Sequence, residues 1–204
     1  MEIRAVYFDF GGVLYQFPDR RWMLRWQRLL GLQNDETISA MIASPEESPF
    51  VQAVMDGRIP ESEIWQRLGR RWRLGAPLVS WIQRNAMSRR RMNREVATFL
   101  TGLRPRYKTA ILSNAGSDTR RTFTEVFGFH HMVDEIIISA EEGIAKPDQR
   151  IFQIALDRFG VAPHEALFLD DLAENVNAAR RLGMRAVQFH HTRQALDDIR
   201  SLLK

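Results

Sequence analysis

Short apolar runs alternate with longer amphipathic segments along most of this chain. The first run, Ala5-Val6-Tyr7-Phe8, stops at Asp9 and is followed by Phe10, Gly11, Gly12, Val13 and Leu14. Similar runs recur at Thr109–Ser113, Glu135–Ser139, Ala166–Asp170 and Ala186–Phe189. Each is a few residues long, mostly apolar, and bounded by polar residues or glycine, which predicts buried strands. The segments between them have helical spacing. Arg94–Leu103 places Val96, Phe99, Leu100 and Leu103 on one face. Asp118–Phe127, Asp148–Phe159 and Ala173–Leu182 are predicted helices, with Gly128, Gly160 and Gly183 at or just past their ends as stop signals. Strand–helix alternation predicts an α/β fold: a parallel sheet covered by helices on both faces.

One stretch breaks the alternation. Residues 16–88 contain no convincing strand and read as helices over Arg20–Leu30, Asp35–Ala43, Pro49–Asp56, Glu61–Leu68 and Leu78–Met87, punctuated by proline and glycine. The expected organisation is a core of residues 1–15 and 89–204, with residues 16–88 inserted as a small helical cap. All five tryptophans (Trp22, Trp26, Trp65, Trp72 and Trp81) fall in the insert. They read either as its core or as the lining of a substrate pocket or dimer contact, so the chain is expected to be a monomer or a homodimer.

Composition narrows the possibilities. The 204 residues are 45% hydrophobic and 26% charged, ordinary for a globular protein with one substantial core. There is no cysteine, which excludes disulfides, zinc–thiolate sites and cysteine nucleophiles and favours a cytoplasmic setting. Glu2 and Arg4 precede the first strand without a leader-like pattern, and no apolar run approaches the roughly 18–20 residues that cross a bilayer. The net charge of +4 is too small to argue for a nucleic-acid partner. The clusters Arg70-Arg71-Trp72-Arg73 and Arg89-Arg90-Arg91 read as solvated surface, or as attractors of an anionic substrate.

The chemistry gathers at the ends of the strands, where open α/β sheets bind ligands. Asp9 offers a carboxylate able to attack phosphorus and form an acyl phosphate. Glycine at 11 and 12 lets backbone approach a ligand. Ser113 and Asn114 end the second strand run, and a hydroxyl and an amide there suit a phosphate oxygen or an ordinary helix cap. Lys146, in Gly143-Ile144-Ala145-Lys146-Pro147-Asp148, is one of only three lysines in an arginine-rich chain. A compact ammonium at that turn would neutralise both a nucleophile and a phosphate. Asp170 and Asp171 are adjacent carboxylates, an arrangement that calls for a cation. Oxygen-only ligands favour Mg²⁺. Asn175 lies about one helical turn beyond Asp171 and can point back toward it.

Taken in this order, the four motifs resemble those of the haloacid dehalogenase (HAD) superfamily, and the helical insert resembles the small cap of its first subclass. The wording Phe8-Asp9-Phe10-Gly11-Gly12-Val13-Leu14, with Asp170-Asp171 and Asn175, is similar to the branch of the epoxide-hydrolase phosphatase domain and small sugar-phosphate phosphatases. The resemblance implies a three-layer Rossmann-like core and a Mg²⁺-dependent phosphatase of a small phosphorylated metabolite. It makes Asp9 the nucleophile and a metal ligand, with the Gly11 carbonyl, Asp171 and Asp170 completing the metal site. Ser113, Asn114, Lys146 and Gly12 would hold the phosphate, and Asn175 would support the cluster from behind.

One position departs from the family pattern. The second aspartate, which normally protonates the leaving group two residues after the nucleophile, is Gly11 here. Tyr15 or a histidine would substitute; or the leaving group, as in an anomeric or acyl phosphate, needs little protonation; or catalysis is impaired and phosphate binding is retained. A 2-haloacid dehalogenase also fits Gly11, but it needs no metal and gives no reason for paired aspartates. His130-His131 and His190-His191 read as surface residues without the spacing of a metal site.

Overall fold

The computed structural model describes residues 2–16, 28, 48–71, 73–88 and 91–203. In chain order, strand β1 (Ala5–Phe8) and the short β2 (Tyr15–Gln16) come first. Helices α1 (Pro49–Met55), α2 (Glu61–Arg71) and α3 (Ala76–Ser88) follow, then the short β3 (Arg91–Met92) and α4 (Arg94–Leu103). Next are β4 (Lys108–Ser113), the single turn α5 (Thr119–Arg121), β5 (Glu135–Ile138), the single turn α6 (Ser139–Glu142) and α7 (Gln149–Phe159). The chain closes with β6 (Ala166–Asp170), α8 (Ala173–Arg181), β7 (Arg185–Gln188) and α9 (Thr192–Leu202).

Five strands form one parallel sheet in the order β5-β4-β1-β6-β7, so β1 lies at its centre. Alternate side chains serve opposite faces, as the strand period of two requires. Val6, Phe8, Ile111, Ile138, Leu167 and Leu169 pack under Val96 and Leu100 of α4 and Leu196 and Ile199 of α9. Ala5, Tyr7, Ala110, Leu112 and Phe168 pack under Ile151, Phe152 and Leu156 of α7 and Val176 and Ala179 of α8. Both faces being covered is why the strands read as nearly continuous apolar runs.

Local signals set the helix ends. Asp148 Oδ1 accepts from the Arg150 N–H at 2.9 Å and caps α7, and Gly160 closes that helix with left-handed backbone at φ 62°. The segment Asp118–Phe127 is not the single helix its pattern predicts. After α5 it widens into a π-helical turn over Thr122–Val126. That turn carries Phe123 and Phe127 into an aromatic nest with Phe10, Tyr15 and Phe129, where ring centroids lie 4.3–6.5 Å apart. Packing of large rings overrides regular helix geometry there.

The chain leaves and re-enters the sheet domain through an antiparallel ribbon in which Tyr15 and Gln16 pair with Met92 and Arg91. The apolar pattern predicts neither that ribbon nor α9. Helices α1 and α2 settle on the loops after β4 and β5. Thr119 Oγ1 donates to Glu61 Oε2 at 3.2 Å, and a Cβ placed on Gly116 would stand 2.8 Å from Glu61 Cβ. Within this helical segment Trp81 is 40% exposed, so it is not core as a tryptophan-built interior would have it. The Trp65 indole N–H is buried. Trp22, Trp26 and Trp72, and nearly all of the predicted helices Arg20–Leu30 and Asp35–Ala43, lie outside the described residues. Among the described residues no helix is long and apolar enough to cross a membrane.

Candidate active site

Strand register assembles the site. Phe8 stands level with Ile111 of β4 and Leu169 of β6, so the next residue, Asp9, comes level with Leu112 and Asp170. The Asp9 N–H continues the ladder to Leu169 O at 2.8 Å. Lys146 reaches this level from the loop before α7. Its Nζ donates to Asp9 Oδ1 at 2.6 Å, Asp170 Oδ2 at 2.7 Å and Leu112 O at 2.9 Å. An ammonium has three N–H donors, and all three are used. One lysine thus ties together three neighbouring strands at their C-terminal ends. Its residue is only 3% exposed, against 7% for Asp9 and 0% for Asp170.

The loop that delivers Lys146 is itself held. Asn114 donates from Nδ2 to Lys146 O and accepts at Oδ1 from the Lys146 N–H, both at 2.8 Å. The Asn114 amide, which the resemblance assigns to phosphate, clasps the lysine's backbone here. The Lys146–Pro147 peptide bond is cis. Ser113, the last residue of β4, is buried one step beyond the level of Asp9.

Asp170 is fully engaged. It accepts from Lys146, from the Leu172 N–H at 2.8 Å, and from Asn175 Nδ2 at 3.0 Å to Oδ1 and 3.1 Å to Oδ2. Asn175 reaches Asp170 from the first turn of α8, four residues beyond Asp171. Asp171 is half-buried beside it, and oxygens of Asp9, Asp170 and Asp171 all lie within 4.8 Å of one another. Gly12 is placed against this corner. Its φ is +80°, and an added Cβ would stand 2.1 Å from Asp171 Oδ2. The resemblance places Gly12 at the phosphate, and in this structure its lack of a side chain leaves room for the Asp171 carboxylate.

The electrostatics follow from this geometry. Burial pushes the Asp9 carboxyl up to about 8, against the pull of Lys146 and with the repulsion of Asp170 and Asp171 added. Burial also opposes the Lys146 charge, but Asp170 and Asp9 outweigh it and hold that ammonium above its ordinary value. Three carboxylates against one ammonium leave two negative charges when all are ionised. The donors are hard oxygens, and the deficit equals the charge of a divalent cation, so the set fits Mg²⁺. Asp170 is already engaged by Lys146 and Asn175.

Of the candidates for the missing acid, Tyr15 is bridged to Gly11 and the histidines lie on the surface. Tyr15 stacks on Phe10 and Phe127 with centroids 5.1 and 4.6 Å apart. His130, His131, His164, His190 and His191 are all exposed, and His191 Nδ1 caps α9 by accepting from the Gln194 N–H.

A family model described as haloacid dehalogenase-like hydrolase matches residues 3–183. The chain belongs to the haloacid dehalogenase-like hydrolases. Curated relatives include mouse bifunctional epoxide hydrolase 2, 28% identical over 98% of this chain and 38% of that protein. Mouse acyl-CoA dehydrogenase family member 10 is also 28% identical, over 98% of this chain and 19% of its own length. The chain therefore spans well under half of either of these relatives. A Mycobacterium tuberculosis protein named phosphatase MT3486 is 29% identical, with 98% of this chain and 93% of that protein covered. Among solved structures, a HAD family enzyme from Bacteroides thetaiotaomicron in complex with magnesium and inorganic phosphate superposes with a TM-score of 0.75 at 20% identity, covering 91% and 93% of the two chains. The Xanthobacter autotrophicus L-2-haloacid dehalogenase superposes at 0.64 and 20% identity, covering 96% of this chain and 81% of that one. These likenesses establish the HAD α/β fold.

Proposed function

We propose that this HAD-like hydrolase is a Mg²⁺-dependent phosphatase of a small phosphorylated metabolite, working through an aspartyl-phosphate on Asp9. The observation that carries the reading is the buried cluster in which Lys146 bridges Asp9 and Asp170 while Asp171 completes an oxygen-only set within 4.8 Å. The phosphatases and the magnesium–phosphate complex among its relatives favour the same chemistry. Mg²⁺, held by Asp9, Asp171 and the Gly11 carbonyl, would supply positive charge to the phosphoryl group and permit one anion to approach another.

Asp9 attacks phosphorus; a new Asp9 O–P bond forms as the bond to the leaving oxygen breaks. Water then cleaves the acyl phosphate and frees Asp9. Lys146 holds the nucleophile and contributes a fixed charge beside it. With its three donors filled, it meets phosphate as a point charge or by exchanging one acceptor. Ser113 and backbone of the following loop would receive the phosphate oxygens. Residues 16–88 would act as the cap over a core of residues 1–15 and 89–204, opening and closing about the β2–β3 ribbon. A 2-haloacid dehalogenase, the other reading compatible with Gly11, leaves the clustered carboxylates without a purpose.

Phosphate release from a panel of phosphomonoesters and anomeric sugar phosphates, with and without Mg²⁺, tests this. Release that requires Mg²⁺ and vanishes in Asp9→Asn supports the reading; absence of release from every compound overturns it.

A further inference from the structure

We infer that Ser139 is a positioning residue: its buried hydroxyl clamps Ala115 and thereby aims the Gly116 N–H at the anionic substrate above Asp9. This inference rests on the phosphatase reading above and adds the group that sets the loop after β4.

The β4–β5 ladder ends where Ser113 stands level with Ile138. Beyond that level a side chain takes over from backbone pairing. The Ser139 hydroxyl accepts from the Ala115 N–H at 3.1 Å and donates to the Ala115 carbonyl at 3.3 Å. The Ala140 N–H, from the same single turn α6, donates to that carbonyl as well, at 3.3 Å. Ser139 is 0% exposed, so water does not compete for its hydroxyl.

Both backbone polar groups of Ala115 therefore face the β5 side. A peptide unit is planar and trans, so its carbonyl and its N–H point in opposite directions. Holding the Ala115 carbonyl toward β5 turns the Gly116 N–H the other way. In the sheet order β5-β4-β1, the other way is toward the end of β1, which carries Asp9. A fixed amide N–H beside the nucleophile is a donor for an oxyanion of the substrate. Gly116 also lies where the helical segment meets the sheet domain. A Cβ placed on it would stand 2.8 Å from Glu61 Cβ and 3.1 Å from Val54 Cγ1. The turn that holds Ala115 receives the helical segment too, since a Cβ on Gly57 would stand 2.1 Å from Ala140 O. Lys146 is held separately, by the Asn114 side chain, so the clamp acts on the loop amide and not on the carboxylate cluster.

The test uses the full chain with Ser139→Ala and Ser139→Cys. The cysteine keeps a side chain of similar shape but is a weak hydrogen-bonding group. Three quantities are measured: the inhibition constant of inorganic phosphate, kcat/KM for 4-nitrophenyl phosphate, and Mg²⁺ affinity by calorimetry. Both variants are expected to weaken inorganic phosphate and lower kcat/KM by about 10–100-fold, with Mg²⁺ affinity unchanged. In the wild type, the Gly116 amide resonance should shift when inorganic phosphate is added with Mg²⁺. The Ala115 amide, already bonded to Ser139, should stay protected from exchange with or without phosphate. A fall in melting temperature with phosphate affinity and kcat/KM unchanged would give Ser139 a purely structural role and overturn the inference. A cysteine variant equal to the wild type would do the same, as would a Gly116 amide that ignores bound phosphate. The wild-type resonances decide the matter if the Ser139 variants do not fold. A wild type that neither binds phosphate nor hydrolyses any phosphomonoester would overturn the phosphatase reading and this inference with it.

Discussion

Removing the ammonium of Lys146 perturbs the most heavily connected point of the site. In Lys146→Met a chain of similar length remains, but Asp9 and Asp170 lose the cation they share at 2.6 and 2.7 Å. Both carboxylates are buried, and stripping one partner from a buried ion pair costs about 3–5 kcal/mol, because the charge left behind stays unsolvated. For a chain of this length about 1 kcal/mol moves the melting temperature by about 2–4 °C, so the expected fall is about 6–20 °C. The assay is thermal unfolding in EDTA, repeated with excess Mg²⁺. In the variant three carboxylates face one another without compensation, so Mg²⁺ should raise its melting temperature more than that of the wild type. The sign with pH is fixed as well. Lys146 is held above its ordinary value of 10.5, so its contribution is complete below that value and is lost only as pH rises through its folded-state pKa. The deficit should therefore persist across neutral pH. It should shrink toward acid pH, where protonation of Asp9 removes its part of the repulsion. A variant within about 2 °C of the wild type at pH 8 in EDTA, with an equal response to Mg²⁺, would refute the claim that this lysine compensates the cluster.

Three further outcomes are expected. Gly12→Ala should weaken Mg²⁺ binding by about 10–100-fold by calorimetry, because its Cβ would stand 2.1 Å from Asp171 Oδ2 and displace that ligand. For the wild type, Asp9 is raised from 3.8 to about 8, so Mg²⁺ must displace a proton at neutral pH. Its apparent affinity should fall by about tenfold for each pH unit below 8, with proton release on binding; an affinity flat from pH 6 to 8 would contradict this. Because that pKa is raised, the stability Asp9 contributes to the metal-free protein is present below 3.8 and lost as pH rises through about 8, so metal-free melting temperatures should decline over that window.

Much of this protein is determined within short stretches of its chain. Runs such as Ala166–Asp170 are apolar on both alternating faces because both sides of the sheet are covered, and that property is local enough to read directly. Asp9, Lys146, Asp170 and Asp171 announce themselves as carboxylates and a rare lysine at strand ends and turns. Other features depend on atoms far apart in sequence. The aromatic nest converts part of a predicted helix into a π turn, because Phe10 and Tyr15 meet Phe123, Phe127 and Phe129 only once β1 lies beside β4. The ribbon joining Tyr15–Gln16 to Arg91–Met92 is two residues wide and has no periodicity to detect. Asn114 looks like a phosphate ligand or a cap until the β4 loop and the Lys146 turn come together and use both ends of its amide. Gly12 reads as general backbone freedom, and only packing shows that the freedom is owed to Asp171. The sequence alone determines which groups are present and at which strand ends. The tertiary structure decides which acceptors each donor takes, because hydrogen bonds and ion pairs at 2.6–3.1 Å depend on strand register and loop contacts that no local pattern encodes.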